Sequence, residues 1–113
     1  MTHKVIPTPW FEQELRPLLK RHSSLGKDLL KLEEELRERP EQGTHLGHGL
    51  YKVRLGITSK GKGKSGGARV ITFLITEDHE VYLLSIYDKA DYDTVDVKAL
   101  KQMAAELRKS RKR

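Results

Sequence analysis

The chain contains no cysteine, few aromatic residues and no long apolar run. Without cysteine it can form no disulfide and no thiolate metal site, and nothing points to an oxidising compartment. No apolar stretch approaches the roughly 20 residues that a membrane-spanning helix needs. The first residues, MTHKVIPTPWFEQEL, lack a basic segment followed by an apolar one, as a signal peptide would have. We therefore expect a cytoplasmic protein with no membrane partner.

The size and charge of the chain narrow the class further. Its 113 residues predict one domain, spanning 1–113, with one modest core. A hydrophobic share of 36% supports folding, while a charged share of 34% leaves little apolar surface to spare. The net charge of +6 predicts a polyanionic partner, because clustered Lys and Arg gain affinity by displacing counterions from phosphates.

The first forty residues show helical periodicity. Thr8 and Pro9 supply an N-cap followed by proline at the first helical position. Apolar residues then recur at helical spacing at Phe11, Leu15, Leu18 and Leu19. Pro17 should kink or shorten this helix. Ser23 or Ser24 can cap a second helix, whose apolar stripe is Leu25, Leu29, Leu32 and Leu36 and which ends at Arg39-Pro40. We expect the two helices to pack as an antiparallel pair.

In the second half of the chain the apolar residues recur at every second position. The segment EQGTHLGHG reads as a turn, and LYKVRLGI then places Tyr51, Val53, Leu55 and Ile57 on one face of a strand. ARVITFLI and EVYLLSIY predict two more strands, joined by a turn at 77–79, and residues 3–8 predict an edge strand. A last helix follows from Val97. The pattern predicts an α+β domain in which two N-terminal helices pack on a twisted antiparallel sheet of about four strands, with a C-terminal helix.

The loop KGKGKSGG contains the letters GKS, which suggest a phosphate-binding P-loop. In that frame the required leading glycine falls on Thr58, and the frame starting at Gly56 ends in Gly63 where a hydroxyl is needed. A strand follows the loop, so no helix N-terminus is available for phosphate. We reject a nucleotide-hydrolysing site. Either the loop is a solvated hairpin tip, or its lysines meet successive phosphates of a nucleic acid; these are Lys60, Lys62 and Lys64.

Cationic and aromatic residues are placed to meet on the sheet. Lys52, Arg54 and Arg69 lie on neighbouring predicted strands, and Lys89 follows the strand that ends at Tyr87. If these strands are antiparallel in chain order, several of the cations converge on one face. Together with Tyr87 and Tyr92 they are typical of an RNA-binding surface, because tyrosines stack on bases while cations hold phosphate.

Two other groups are weaker candidates. His45 and His48 flank a glycine in a turn without an obvious third metal ligand, so a solvated loop is favoured over a two-histidine nuclease or a metal site. Four acids precede the last helix and more often cap such a helix than hold Mg²⁺; these are Asp88, Asp91, Asp93 and Asp96. We expect no metal and no cofactor.

The order LYKVRL, a Gly/Lys loop, GGARVITF, and then EVYLLSIYDKAD before a final helix resembles the RelE/HigB superfamily of bacterial toxins. The resemblance covers nearly the whole chain and is strongest to HigB-type members with a lysine- and glycine-rich loop. It implies the RelE-like fold and an endoribonuclease that cuts messenger RNA in the ribosomal decoding site. It also implies inhibition by a cognate antitoxin, expected to be a helix-turn-helix protein that links the complex to operator DNA.

Carried over by position, the resemblance makes Lys52, Arg54 and Arg69 catalytic. Lys89 falls where the family carries arginine, and the family's active-site tyrosine aligns with Val95, so Tyr87 and Tyr92 compete for its role. Such an enzyme needs no metal, because the 2′-hydroxyl of RNA attacks the adjacent phosphate. Two alternatives stay open: a non-catalytic RNA- or DNA-binding module, and an interaction protein whose basic face receives an acidic partner segment.

Overall fold

The computed structural model describes residues 2–61 and 66–111. In chain order the elements are β1 (Lys4–Pro7), α1 (Pro9–Arg21), α2 (Leu25–Glu38), β2 (Thr44–Gly47), β3 (Leu50–Leu55), β4 (Ala68–Ile75), β5 (Glu80–Asp88) and α3 (Val97–Arg111). The strands form one sheet in the order β1-β5-β4-β3-β2. From β2 to β5 each strand pairs antiparallel with the next along the chain. The α+β class is therefore confirmed.

The sheet differs from the prediction at both edges. It has five strands rather than about four, because Thr44–Gly47 lies within the segment predicted to be a turn but pairs with β3. The other edge strand, β1, was expected, but it runs parallel to β5 in an otherwise antiparallel sheet. Its two central residues pack on opposite faces of the sheet. Val5 packs with the buried residues beneath α1 and α2, called here the α1–α2 core, and Ile6 packs with those beneath α3, called the α3 core.

Helices α1 and α2 cover one face of the sheet. The leucine stripe of α2 is buried throughout, as predicted, and packs with Phe11 and Leu18 of α1 against Val53, Val70 and Leu83. Leu19 does not join this core, because 41% of it is exposed. Pro17 does not end α1, which continues to Arg21. Pro17 is exposed, so the hydrogen bond that it cannot donate is lost at the solvent side of the helix.

Helix α3 covers part of the opposite face. Leu100 and Ala104 are buried against Ile71, Phe73 and Leu84. The two helical layers thus lie on opposite faces of the sheet. Side chains along β3 point alternately to the two faces, so Leu50 belongs to the α3 core and Val53 to the α1–α2 core. Within the described residues, no helix combines the length and apolar character that crossing a membrane requires.

Three predicted caps have different outcomes. The hydroxyl of Thr8 accepts the N–H of Phe11 at 3.3 Å, which confirms the predicted cap of α1. Ser24 precedes α2, but its hydroxyl makes no capping bond and donates to Asp28 instead. Asp96 accepts the N–H of Ala99 at 3.1 Å, so the capping interpretation of the acidic segment is confirmed at that residue.

Candidate active site

Three adjacent strands place a row of functional side chains on the α3 side of the sheet. In the strand register Arg54 of β3 lies beside Arg69 of β4, and Arg69 lies beside Tyr87 of β5. Lys52 is two residues before Arg54 and therefore shares its face. The predicted convergence of Lys52, Arg54, Arg69 and Tyr87 thus follows from antiparallel pairing in chain order.

A loop segment closes over this row. The segment 89–96 connects β5 to α3 and contributes Tyr92 and Asp93. The ring of Tyr92 stacks on that of Tyr87, with centroids 4.6 Å apart and planes 15° apart. Tyr87 is buried, whereas 48% of Tyr92 is exposed, so Tyr92 is the ring of this pair that solvent can reach.

The Asp93 carboxylate contacts three members of the row. Its Oδ1 lies 3.5 Å from Nε of Arg69 and 3.9 Å from Nζ of Lys52. The Tyr87 hydroxyl donates to the same oxygen at 3.4 Å. One carboxylate oxygen therefore sits at the point where the two cations and the phenol converge. The sequence had suggested Asp93 only as a capping or Mg²⁺-binding acid, and its position in an irregular loop gave no signal for this contact.

Both tyrosines hold their protons firmly. Burial, followed by the charge of Asp93 and the hydrogen bond to it, raises the pKa of Tyr87 to about 12, although the charge of Arg69 opposes the shift. Burial, followed by the charges of Glu14 and Asp91, also raises the pKa of Tyr92. At neutral pH both groups are hydrogen-bond donors rather than proton acceptors.

The cations differ in accessibility. Arg54 is exposed, and 26% of the Lys52 side chain is exposed. Arg69 is only 2% exposed, and its Nη1 donates to the carbonyl of Ala68 at 3.1 Å. A guanidinium held in this way has a fixed orientation.

Lys60 has a defined structural contact at the start of the basic loop. Its Nζ lies 3.0 Å from Oδ1 of Asp88, a residue that is only 2% exposed. Asp88 also contacts Arg21 at 3.2 Å and His22 at 2.8 Å, both from the end of α1. The lysine that opens the loop is therefore anchored to the protein. The predicted RNA-binding residues Lys62 and Lys64 lie outside the described residues.

Lys89 and Val95 complete the positions carried over by the resemblance. Lys89 is exposed, and its N–H bonds the carbonyl of Gly67 at 3.0 Å, so it lies at the same end of the sheet as Arg69. Val95 packs at the margin of the α3 core. It therefore presents an apolar side chain at the position where the resemblance predicts a tyrosine.

A small cavity of about 160 Å³ adjoins the tyrosine pair. Tyr87 and Tyr92 form one part of its lining, and Ser85, Thr94 and Val95 form another. The mixture of aromatic faces and hydroxyl groups is suited to a flat, partly polar group such as a nucleobase.

The two histidines considered as metal ligands lie elsewhere. His45, in β2, stacks on Tyr51 with centroids 4.8 Å apart, and His48 occupies the turn before β3 with a φ of 54°. Across residues 2–61 and 66–111, no group of three His, Cys, Asp or Glu side chains is arranged to hold a metal ion.

Comparison with solved structures finds this fold in a known toxin. The isolated Escherichia coli RelE toxin aligns with a TM-score of 0.55 at 21% identity, over 89% of this chain and 98% of that one. A double arginine-to-alanine mutant of E. coli RelE in the free state aligns with a TM-score of 0.56 at 21% identity, over 80% of this chain and 87% of that one. At this identity the likeness establishes a shared fold.

The sequence itself carries the family assignment. The family model described as the RelE toxin of the RelE/RelB toxin–antitoxin system matches residues 3–113, which is nearly the whole chain. The superfamily resemblance is thereby confirmed, while the HigB-like subgroup stays a prediction. The chain belongs to the RelE toxin family of toxin–antitoxin systems.

Proposed function

We propose that this protein is a ribosome-dependent endoribonuclease that inhibits translation by cutting messenger RNA without a metal ion. The observation that carries the proposal is the row of Arg54, Arg69 and Tyr87 across three adjacent strands of a RelE-family fold. The reaction places extra negative charge on a phosphate, and guanidinium groups are suited to stabilise it. Arg54 and Arg69 supply these groups from paired positions of β3 and β4.

The remaining roles follow from position. Lys52 and Lys89 are the lysines that we propose for proton transfer, because Lys52 lies in the row and Lys89 at the same end of the sheet as Arg69. Tyr92 offers an exposed ring for stacking, and Tyr87 holds that ring in place. Such a site gains several kcal/mol when its substrate is already positioned, which is what a ribosome holding the message provides.

Family membership also supports the expected partners. A RelE-family toxin is paired with a cognate antitoxin, and we propose a helix-turn-helix antitoxin that links the complex to operator DNA. The +6 net charge favours both an acidic antitoxin segment and ribosomal RNA. With these partners we expect the protein to act in the cytoplasm.

The test is cleavage of a ribosome-bound message, with breaks mapped for the wild type, Arg69→Ala and Arg69→Lys. Arg69→Ala removes the guanidinium group and should lower the cleavage rate by about 10²–10³-fold, as does the loss of one hydrogen-bond donor to the transition state of other enzymes. Arg69→Lys keeps the positive charge but loses the planar group that can donate two parallel hydrogen bonds, so it should recover only part of the rate.

Arg16→Ala is the matched control, because Arg16 is exposed on α1, on the other side of the sheet. Its rate should equal that of the wild type, and thermal unfolding should show that every variant is folded. A folded wild type that binds RNA tightly but leaves the message intact would instead identify a non-catalytic binding module. If it neither cleaves nor binds RNA but forms a stable antitoxin complex, it is an interaction protein.

A further inference from the structure

The candidate active site contains a carboxylate to which neither composition nor resemblance gave a role. Asp93 Oδ1 lies within 3.9 Å of Lys52 Nζ, Arg69 Nε and the Tyr87 hydroxyl. The residue comes from the segment that follows β5, and 39% of its side chain is exposed. It is thus held by the row and remains reachable from solvent.

The other side chains of the row are poor proton acceptors. The two guanidinium groups stay protonated, and Tyr87 keeps its proton because its pKa is raised to about 12. A lysine ammonium group offers three donors and no acceptor. A carboxylate carries no proton at neutral pH and accepts one directly.

We propose that Asp93 is the general base that removes the proton from the attacking 2′-hydroxyl, an assignment that rests on the proposed ribonuclease function. The geometry supports it, because the carboxylate lies beside the cations that would hold the phosphate. In a dinucleotide the 2′-oxygen is a close neighbour of that phosphate, so a base must lie at its edge.

The proton balance closes within the row. The 2′-hydroxyl proton passes to the Asp93 carboxylate as the 2′-oxygen forms a bond to phosphorus. The bond between phosphorus and the 5′-oxygen breaks, its electron pair stays on that oxygen, and the oxygen takes a proton from the Lys52 ammonium. The products are a 2′,3′-cyclic phosphate and a 5′-hydroxyl. The Asp93 carboxyl group then returns its proton to the Lys52 amine.

The discriminating experiment measures two quantities for Asp93→Asn. The first is the single-turnover cleavage rate on a ribosome-bound message, and the second is the affinity for the same complex with a 2′-O-methyl group at the cleavage site. Removing a general base should lower the rate by about 10²–10⁴-fold. Affinity for the uncleavable message should stay the same or rise, because a negative charge beside the phosphate has been removed.

Asp91→Asn is the matched control. It removes the same charge two residues away, but its carboxylate contacts Arg21 at 3.0 Å instead of the row. Its rate and affinity should stay within about twofold of the wild type, as expected for an exposed pair. Asp93→Glu retains a carboxylate and should recover part of the rate.

The inference and the proposed function fail differently. If the wild type does not cleave, the proposed function fails and the base assignment fails with it. If the wild type cleaves and Arg69→Ala does not, while Asp93→Asn cleaves as fast as or faster than the wild type, the ribonuclease stands and the base assignment is overturned. In that case Asp93 merely competes with phosphate for the cations. An equal fall in rate and affinity for Asp93→Asn would also overturn it, because a base acts on the rate alone.

Discussion

Asp88 is a buried carboxylate that joins the end of β5 to two other parts of the chain. It contacts Arg21 and His22 at the end of α1 and Lys60 at the start of the basic loop. Replacing it with asparagine would remove the buried counter-charge from Lys60 and leave Arg21 paired with Asp91 alone. We expect Asp88→Asn to lower the free energy of unfolding by about 3 kcal/mol, as for breaking a buried ion pair from one side.

Urea unfolding at neutral pH checks this expectation. The control is again Asp91→Asn, since the Asp91 carboxylate is 48% exposed and should contribute less than about 1 kcal/mol. Equal losses of unfolding free energy for the two substitutions would show that the buried ion pairs of Asp88 stabilise the fold no more than the exposed ion pair of Asp91.

The same residue predicts a pH dependence of stability. Burial alone would raise the pKa of Asp88, but hydrogen bonds from the Ala90 N–H, Lys60 and His22 outweigh it and hold that pKa well below its usual range. A carboxyl group with a lowered folded-state pKa contributes its full stability above the unfolded value of about 3.9 and loses it as the pH falls.

We therefore expect the contribution of the lowered Asp88 pKa to the difference in unfolding free energy between wild type and Asp88→Asn to be fully present at about pH 5. It should shrink as the pH falls below about 4. Urea titrations at several acidic pH values measure it. A difference that is unchanged down to pH 2 would contradict the assignment of the shift to this residue.

At the scale of elements, the cap of α1 connects a helix to the sheet. The Thr8 hydroxyl accepts the N–H of Phe11 and donates to the carbonyl of Leu83 at 2.8 Å. Thr8→Val keeps the shape but removes both bonds, so we expect a loss of about 1–2 kcal/mol of unfolding free energy. Thr8→Ser keeps the hydroxyl and should lose less. Chemical unfolding compares the two variants, and an equal loss would show that the methyl group contributes as much as the hydroxyl at this position.

The elements that the sequence predicted well are those with long, clean periodicity. The leucine stripe of α2 and the alternation of β3 each repeat often enough to identify both the element and its buried face. The antiparallel order of β3 to β5 then places Arg54, Arg69 and Tyr87 side by side, so this part of the site was predictable.

The features that could not be predicted from the sequence lie in short or irregular segments. The strand β2 is four residues long and contains one apolar side chain, Leu46, between turn-forming residues. Its pairing arises from contact with β3, which no local pattern encodes. The position of Asp93 depends on the path of a loop, and loop paths carry no periodicity. The contact between Asp93 and the cations was therefore not predicted, whereas the convergence of the cations was.

For the whole molecule, the excess of positive charge predicts a salt-dependent interaction with RNA. Each phosphate neutralised on a single strand contributes about −0.7 to the slope of log affinity against log salt. Arg54 is exposed and lies in the cationic row, so Arg54→Gln should reduce the magnitude of the slope by about 0.7.

Filter binding or fluorescence anisotropy with a 2′-O-methyl RNA over a range of salt concentrations measures this slope. Lys98→Gln, an exposed change of equal charge near the start of α3, is the control and should leave the slope unchanged. Equal changes for both variants would mean that RNA responds to net charge rather than to the row.

The parallel pairing of β1 with β5 has a consequence for the order of synthesis. Residues 4–7 find their strand partners at 80–83, so the first strand cannot be placed until nearly three quarters of the chain has been made. The Tyr87 end of the active-site row is made later still. A nascent chain interrupted before that point lacks both the closing edge of its sheet and the complete row of Arg54, Arg69 and Tyr87, so a partly made copy could not carry out the proposed cleavage.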